Sequence, residues 1–434
     1  MTAAPGRLPR ADEGPTRIAV IGIGSMGKGL AYQAAITPHV HCAALADLNV
    51  DRAVACAEFL QRPYHVALTA DDVCAAVRDS ALAICEDGRL LADCDGIDVI
   101  VESSSSIPAG GRHAEFAILR GKHVVMMNAE ADLMFGPYLT ALAGEHGVTY
   151  TSSDGDQHGV ITRLVNEMRS WGLDLVMAGN MKGFLDRYAN PTTIVPEAVK
   201  RNLDPKMTAG FTDGSKLSIE MALVANALGL SAPIPGMAGP RLDHVRDVLD
   251  CFDFDTIHRS GPVVDYVLGA QPDGGVFAVG YCDNAYQRSM LSMLKMGTGP
   301  FYVFYRPYHL CHVEAMAAVK DAARGCPLLQ PSFGFRTNVY AYAKKDLRAG
   351  ERLDGVGGYA CYGLIENCDS RPAAPGLPLC LAEDVSLSRD IGRDEPLTWQ
   401  DIRYDPTAPT FAMYAKALEA SNSLACHQGC PSNR

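Results

Sequence analysis

The stretch that most restricts this chain is Arg17 to Leu30, RIAVIGIGSMGKGL. Four apolar residues, Ile18 to Ile21, read as a short buried strand. They run straight into Gly22-x-Gly24-x-x-Gly27, and a helical pattern begins at about Ser25. The tight turn needs the first glycine, close approach of backbone to a pyrophosphate needs the second, and close packing of helix on strand needs the third. The helix start, Ser25, Met26 and Gly27, then offers amide N–H groups to a phosphate. A second apolar run, Cys42 to Ala46, ends at Asp47, 20 positions past Gly27. A carboxylate there accepts from both hydroxyls of an adenosine ribose and repels a 2′-phosphate, which favours NAD(H) over NADP(H). Arg52 is placed to pair with such a phosphate, so NADP(H) stays open. The plainer reading of Asp47 is a strand-end turn residue.

At 434 residues the chain has room for about three domains. A net charge of −12 argues against a nucleic-acid or anionic-membrane surface as partner. No apolar run approaches the ~20 residues of a membrane span. Residues 1–16 are rich in Pro, Gly and charge and read as a mobile leader, not a secretory signal. The 14 cysteines are scattered, and Cys42, Cys311 and Cys361 sit in apolar runs, as small hydrophobes do in a reducing compartment. The expectation is a cytoplasmic homo-oligomer. Cys426 and Cys430 flank His427 but fall short of a structural zinc set, so a frayed tail is expected there.

Residues 51–95 read as helices joined by polar stretches. Gly96 to Val101 forms a strand leading to Glu102 and the run Ser103 to Ser106. Hydroxyls at a strand's C-terminal edge, Ser103 and Ser104, suit a nicotinamide ribose. Their plainer reading is a helix N-cap cluster, and the two are compatible. Another strand, Gly121 to Asn128, precedes Ala129-Glu130-Ala131-Asp132. This alternation predicts a doubly wound parallel sheet over residues 17–150, with Asn128 at its cofactor edge.

Residues 151–335 read as an α+β substrate domain. Asp154-Gly155-Asp156-Gln157-His158-Gly159 opens a helix, and Asp156 and His158 are acid–base candidates or capping residues. Strand Leu175 to Gly179 leads to a Gly-bounded turn that carries Lys182. Asp213-Gly214-Ser215-Lys216 opens a helix bearing Glu220, with Asp213 as cap or active-site carboxylate. Lys216 opposes the helix dipole, which hints at an anionic ligand; a solvated lysine is the alternative. Gly236 to Pro240 and Gly261 to Tyr266 read as turns. Strand Phe301 to Phe304 leads to Tyr305-Arg306-Pro307, and the proline stiffens Arg306 as a clamp for phosphate or carboxylate. His309 is an acid–base candidate or a core histidine, and the helix His312 to Ala323 is expected to return to the first domain. Short strands and Gly/Pro turns over 336–434 predict a small β domain, serving as a lid or in association.

Four segments carry a family resemblance: GKHVVMMNAEAD (121–132), DGSK (213–216), GPVVDY (261–266) and FYRPYHL (304–310). They resemble the homoserine-dehydrogenase-like oxidoreductases with a C-terminal SAF domain. That group includes proteins similar in activity to 1-deoxy-D-xylulose 5-phosphate reductoisomerase. AKKDLRAGERLDG (343–355) and VSLSRDIGRDEPLTW (385–399) resemble the SAF β-clip module. The resemblance implies an α/β fold: a Rossmann domain, an α+β catalytic domain and a small all-β SAF domain. Homoserine dehydrogenases carry Asn-Lys where this chain has Asn128-Ala129-Glu130, which argues against homoserine. The reductoisomerase-like members match at Asn128, Glu130, Asp213, Lys216, Glu220 and Arg306, but carry a Gly-Asp-Glu-Pro-type turn in place of Gly155-Asp156-Gln157-His158.

The chemistry implied is hydride transfer to or from a small anionic, polyhydroxylated substrate such as a phosphosugar or sugar acid, held in an interdomain cleft. Lys182 and Lys216 polarise the carbonyl, Asp213 or Glu220 relays the proton, and Arg306 holds the anionic end. A reductoisomerase would add a divalent metal, with Glu130, Asp156 and His158 as candidate ligands. Two alternatives stand beside this reading: an amino-acid oxidoreductase of the homoserine type, and a non-catalytic nucleotide sensor.

Overall fold

The computed structural model describes residues 14–201, 203–369 and 375–428. They divide into two compact units. The first contains residues up to Gly159, Leu310–Gln330 and Met413–Ser421; the second contains Val160–His309, Pro331–Ala412 and the residues from Asn422 on. Of the expected leader, residues 1–13 lie outside the described residues, and Thr16 already belongs to the first strand. Cys430 and the side chains of Cys426 and His427 also lie outside the description. No described helix is long and apolar enough to cross a membrane.

The first unit is built on seven parallel strands: β1 (Thr16–Ile21), β2 (Val40–Ala46), β3 (Tyr64–Val66), β4 (Leu82–Cys85), β5 (Val99–Glu102), β6 (His123–Met126) and β7 (Tyr150–Ser152). Their order is β3-β4-β2-β1-β5-β6-β7. Strands β4 and β5 are buried throughout, as a parallel sheet covered on both faces requires. The order reverses at β1, which has β2 on one side and β5 on the other. In open α/β sheets the binding crevice forms at that reversal, at the carboxyl ends of the strands. Strands β3 and β4 correct the reading of 51–95 as helices alone. They are too short to show a period, and the flanking helices Val50–Phe59 and Ala70–Arg78 dominate the pattern. The helix Ala315–Ala323 completes this unit, placing Ala315, Met316, Val319 and Ala322 in one core with Ile18, Val20, Leu45 and Val101.

The second unit has a four-stranded sheet of order β11-β10-β8-β9, formed by β8 (Asp174–Lys182), β9 (Val263–Leu268), β10 (Gly275–Tyr281) and β11 (Phe301–Arg306). β8 and β9 are parallel, and the other pairs are antiparallel. One face buries Met177, Met181, Phe277, Val279 and Val303 against Val245, Val248 and Phe254. Strand β9 overturns the expected turn over Gly261 to Tyr266. Gly261 ends the helix Phe254–Ser260 and Pro262 follows, so the turn-forming residues precede the strand.

Residues 331–412 fall in this same unit. They form two small antiparallel sheets, β12 (Thr337–Ala343) with β14 (Cys361–Asn367), and β13 (Arg352–Asp354) with β15 (Glu383–Leu387) and β16 (Ile402–Arg403). The helix Ser215–Leu228 packs on β12 and β14 as well as on β8 and β9, and is buried along nearly its whole length. Near its far end, Thr337 donates its N–H to Asn226 Oδ1 (2.9 Å), and Asn226 Nδ2 donates to the Thr337 carbonyl (3.1 Å).

Candidate active site

At the reversal beside β1, Gly22 adopts φ +88° and donates its N–H to the Ala46 carbonyl at 2.8 Å. A Cβ on Gly22 would stand 2.6 Å from the Ser104 backbone, and one on Gly27 would collide with the Gly22 carbonyl. Ser103 Oγ closes the corner, within 2.9 Å of both the Ile21 and Gly22 carbonyls. A Cβ at Gly24 would meet nothing within 4 Å, so that backbone is open to a ligand. The helix Ser25–Ile36 has Gly24 as its N-cap, with no side chain capping its first turn. This cradle fits a dinucleotide pyrophosphate: amide donors at Ser25, Met26 and Gly27, and no side chain in the way.

Asp47 braces the turn from the end of β2. Its carboxylate accepts from Ile23 N–H at 2.6 Å and from Asn49 N–H at 2.8 Å. The strand-end role is therefore real, and each oxygen keeps a lone pair that a ribose hydroxyl can use.

Behind the serines lies a pair that sequence reasoning missed. Glu102, fully buried at the end of β5, takes the N–H (2.9 Å) and the hydroxyl of Ser104 on one oxygen and His113 Nδ1 on the other, at 2.9 Å. Asn128 Nδ2 donates to the Ser104 carbonyl at 2.8 Å and the Ser106 carbonyl at 3.2 Å, while its Oδ1 caps the helix Ala129–Glu145. Asn128 thus holds the serine loop in place. Ser106 caps the helix Ile107–Leu119 through Ala109 N–H. The only sequence signal for Glu102 was an acidic residue closing an apolar run.

Glu130, Asp156 and His158 do not bring ligand atoms together among the described residues, which corrects their grouping as a metal site. His158 is buried in the first turn of the helix Gln157–Ser170, Glu130 sits on a different helix, and Asp156 Oδ1 accepts from Gln157 N–H. The Asp156 carboxylate lies within 4.8 Å of the Cys311 thiol instead. Nearby in sequence, buried Asp132 accepts from the hydroxyls of Tyr150 (2.7 Å) and Ser152, and burial pushes its carboxyl up to about 6.

In the second unit, Lys182 is the last residue of β8 and Arg306 the last of β11; neither lies in the turn beyond its strand, as expected from sequence. The extra ladder pairing of β10 carries both strands further. Val276 faces Asn180 on one side and Arg306 on the other, so the strand ends align at one edge of the sheet. Period-two alternation puts Asn180 and Lys182 on the same face, opposite the face that holds Met177 and Met181. Arg306 stacks on Tyr308 at 4.5 Å, and His309 is half-buried.

The helix Ser215–Leu228 brings half-buried Lys216 and buried Glu220, one turn apart, and Gly214 at φ +86° starts it. Asp213 is interior. Its Oδ1 accepts from Ser215 N–H at 2.8 Å and its Oδ2 pairs with Lys344 Nζ at 2.8 Å. Burial pushes the Asp213 carboxyl up, and Lys344 draws it back down. The cap reading of Asp213 accordingly has a structural basis. Lys344 itself was missed; its signal is a lysine directly after the apolar strand Thr337–Ala343.

Residues 155–315, spanning Lys182, Asp213, Lys216, Glu220 and Arg306, match a family model described as the catalytic domain of oxidoreductase DRL. The chain is an oxidoreductase. No protein in the curated set matches it. Among solved structures it is similar to a probable dehydrogenase from Thermotoga maritima, at 13% identity over 72% of this chain and 90% of that one, with a TM-score of 0.43. It is also similar to a myo-inositol dehydrogenase from Corynebacterium glutamicum ATCC 13032, at 10% identity over 71% and 89%, TM-score 0.39. A DOX-P reductoisomerase in complex with magnesium is similar at 16% identity over 71% and 80%, TM-score 0.37. Likeness at this distance assigns neither cofactor nor substrate.

Proposed function

We propose that the chain is an NAD(P)-dependent reductase or reductoisomerase acting on the CH–OH or carbonyl group of a small anionic polyhydroxylated compound, a phosphosugar or sugar acid. The observation that carries this is the alignment of Lys182 and Arg306 at one edge of the second unit's sheet. A cationic strand edge suits an anion, and Arg306 is the bidentate group for a phosphate or carboxylate. Lys182 and Lys216 stabilise the alkoxide that forms as the carbonyl is reduced. With Asp213 committed to Lys344, the proton falls to Glu220, which delivers it to that oxygen in reduction and removes it in oxidation. The dinucleotide, when bound, supplies or accepts the hydride. Its cradle is Gly22, Gly24, Ser25, Met26 and Gly27, with Ser103, Ser104 and Asn128 forming the neighbouring loop. Asp47 favours NAD(H). No step is placed on a metal, because the expected ligands are not gathered. The protein is read as a cytoplasmic homo-oligomer, and residues 336–434 as an SAF-like module.

The test is a panel of phosphosugars, sugar acids, polyols and homoserine, each with NAD(H) and NADP(H), followed by nicotinamide absorbance. Turnover is expected with phosphorylated or carboxylated polyhydroxy compounds, and Lys216→Ala should abolish it while NADH still binds. Turnover of homoserine alone would overturn the substrate class. Near wild-type activity in Lys216→Ala would remove that lysine from the mechanism.

A further inference from the structure

We infer that Lys344, contributed by the C-terminal β module, is a positioning residue of the candidate active site, because its single buried ammonium ties together the two segments that carry Lys182 and Lys216. An ammonium has three donors and no acceptor. Lys344 Nζ donates to the Ala189 carbonyl (2.6 Å) and the Gly358 carbonyl (2.7 Å) and forms an ion pair with Asp213 Oδ2 (2.8 Å), with its side chain 3% exposed. Asp213 opens the turn to Lys216. Ala189 lies within the loop between Lys182 and the helix Val195–Arg201. Gly358 belongs to the module itself, and Lys344 N–H is held by the Ala360 carbonyl at 2.8 Å. The ammonium is therefore the shared corner of three chain segments, and its charge is balanced by one carboxylate.

Neighbouring contacts reinforce both arms. On the Lys216 side, Ser215 Oγ accepts from Gly363 N–H at 2.9 Å and Ser218 Oγ donates to the Gly363 carbonyl at 3.2 Å. On the Lys182 side, the Tyr188 hydroxyl donates to Asp394 at 2.9 Å and Arg393 stacks on the Tyr188 ring at 3.8 Å. The loop is also tied to the turn directly, through Asp186 N–H to the Thr212 carbonyl at 2.8 Å. A lid would meet this surface through exposed, separable contacts. A buried ion pair whose partners cannot be resolvated cheaply is a joint. The module thus sets the spacing of the two lysines and does not open and close over them.

This inference rests on reading Lys182 and Lys216 as the substrate-facing groups, and its test needs no substrate. The full chain is acetylated competitively with acetic anhydride across a pH series, and each lysine's reactivity is read by peptide mass spectrometry. Exposed Lys200 on the helix Val195–Arg201 is the internal reference. In Lys344→Met, acetylation of Lys182 and Lys216 relative to Lys200 is expected to change by about tenfold, with a displaced pH midpoint for both. A merely structural role would lower the unfolding temperature and leave both pH profiles unmoved. Profiles that superimpose on wild type would overturn the inference. If Lys344→Met does not fold, the charge-neutral pair Asp213→Asn with Lys344→Met is read against the same two outcomes. An empty substrate panel and superimposed profiles are separate failures, so the proposed function and the joint are tested independently.

Discussion

The glycine turn of the first unit and the lysine turn of the second are both sharp bends leading into a helix, yet they are held by different forces. At Gly22 and Gly27 the constraint is steric: backbone lies where a Cβ would go, and Ser103 and Asp47 add hydrogen bonds from adjacent strand ends. At Asp213 to Lys216 the constraint is electrostatic, a buried carboxylate matched to an ammonium from another part of the chain. A sterically built turn specifies its own shape through what is missing from its residues. A charge-built turn depends on its partner, and the loss of either ion leaves the other stranded.

That contrast makes its largest prediction at Lys344. Lys344→Met should destabilise the full chain by about 3–5 kcal/mol, the cost of an uncompensated buried charge. Adding Asp213→Asn should recover most of it, as urea unfolding of both variants will show. Equal destabilisation in the single and double variants would mean that lost packing, not charge, holds the turn. A smaller effect is expected at Gly27→Ala, where overpacking against backbone costs about 1–3 kcal/mol, which, where dinucleotide binding needs the native turn, is about 5- to 150-fold in affinity. NADH titration checks it. Undiminished affinity would show that the turn relaxes and that its steric description is wrong.

The same contrast explains what could be read in advance. The glycine turn was legible because its parts are near in sequence and each glycine has a stereochemical reason to be one. Its supporting Glu102–His113 pair was not, since a buried acid beside a histidine has no required spacing. The lysine turn was half legible: DGSK announced a helix start, but the partner of Asp213 could not be inferred, because Lys344 follows β12, in a distant part of the sequence. Lys182 and Arg306 each read as lying just past a strand, whereas each is the last residue of its strand. Strand pairing decides where a strand stops, and pairing with β10 is not written locally. For β9, Gly261 and Pro262 masked the strand that follows them.

The smallest prediction compares Asp213 with the first unit's buried carboxylate. Among the described residues the Asp132 carboxylate has only hydroxyl partners, and burial raises its folded-state value to about 6, above the ordinary 3.8. The folded protein then holds the proton more tightly than the unfolded chain does. Stability is retained below about pH 4 as far as this group is concerned and falls as pH rises through about 6. Asp132→Asn should remove that slope and gain about 1 kcal/mol at neutral pH, the relief of a buried charge less the stronger bonds it made. Thermal melts of both proteins between pH 4 and 8 decide it; parallel curves would mean that Asp132 remains ionised at no cost.

Synthesis on the ribosome gives the helix Ala315–Ala323 another significance. Its alanines, Met316 and Val319 line the same core as β1 and β2, so the nascent first unit cannot close that core from its amino-terminal residues alone. About 150 residues of the second unit must be translated before the closing helix emerges. During that interval Ile18, Val20, Leu45 and Val101 lack one of their covers. The vulnerable species for chaperones and proteases is therefore the half-made chain with its glycine turn already formed.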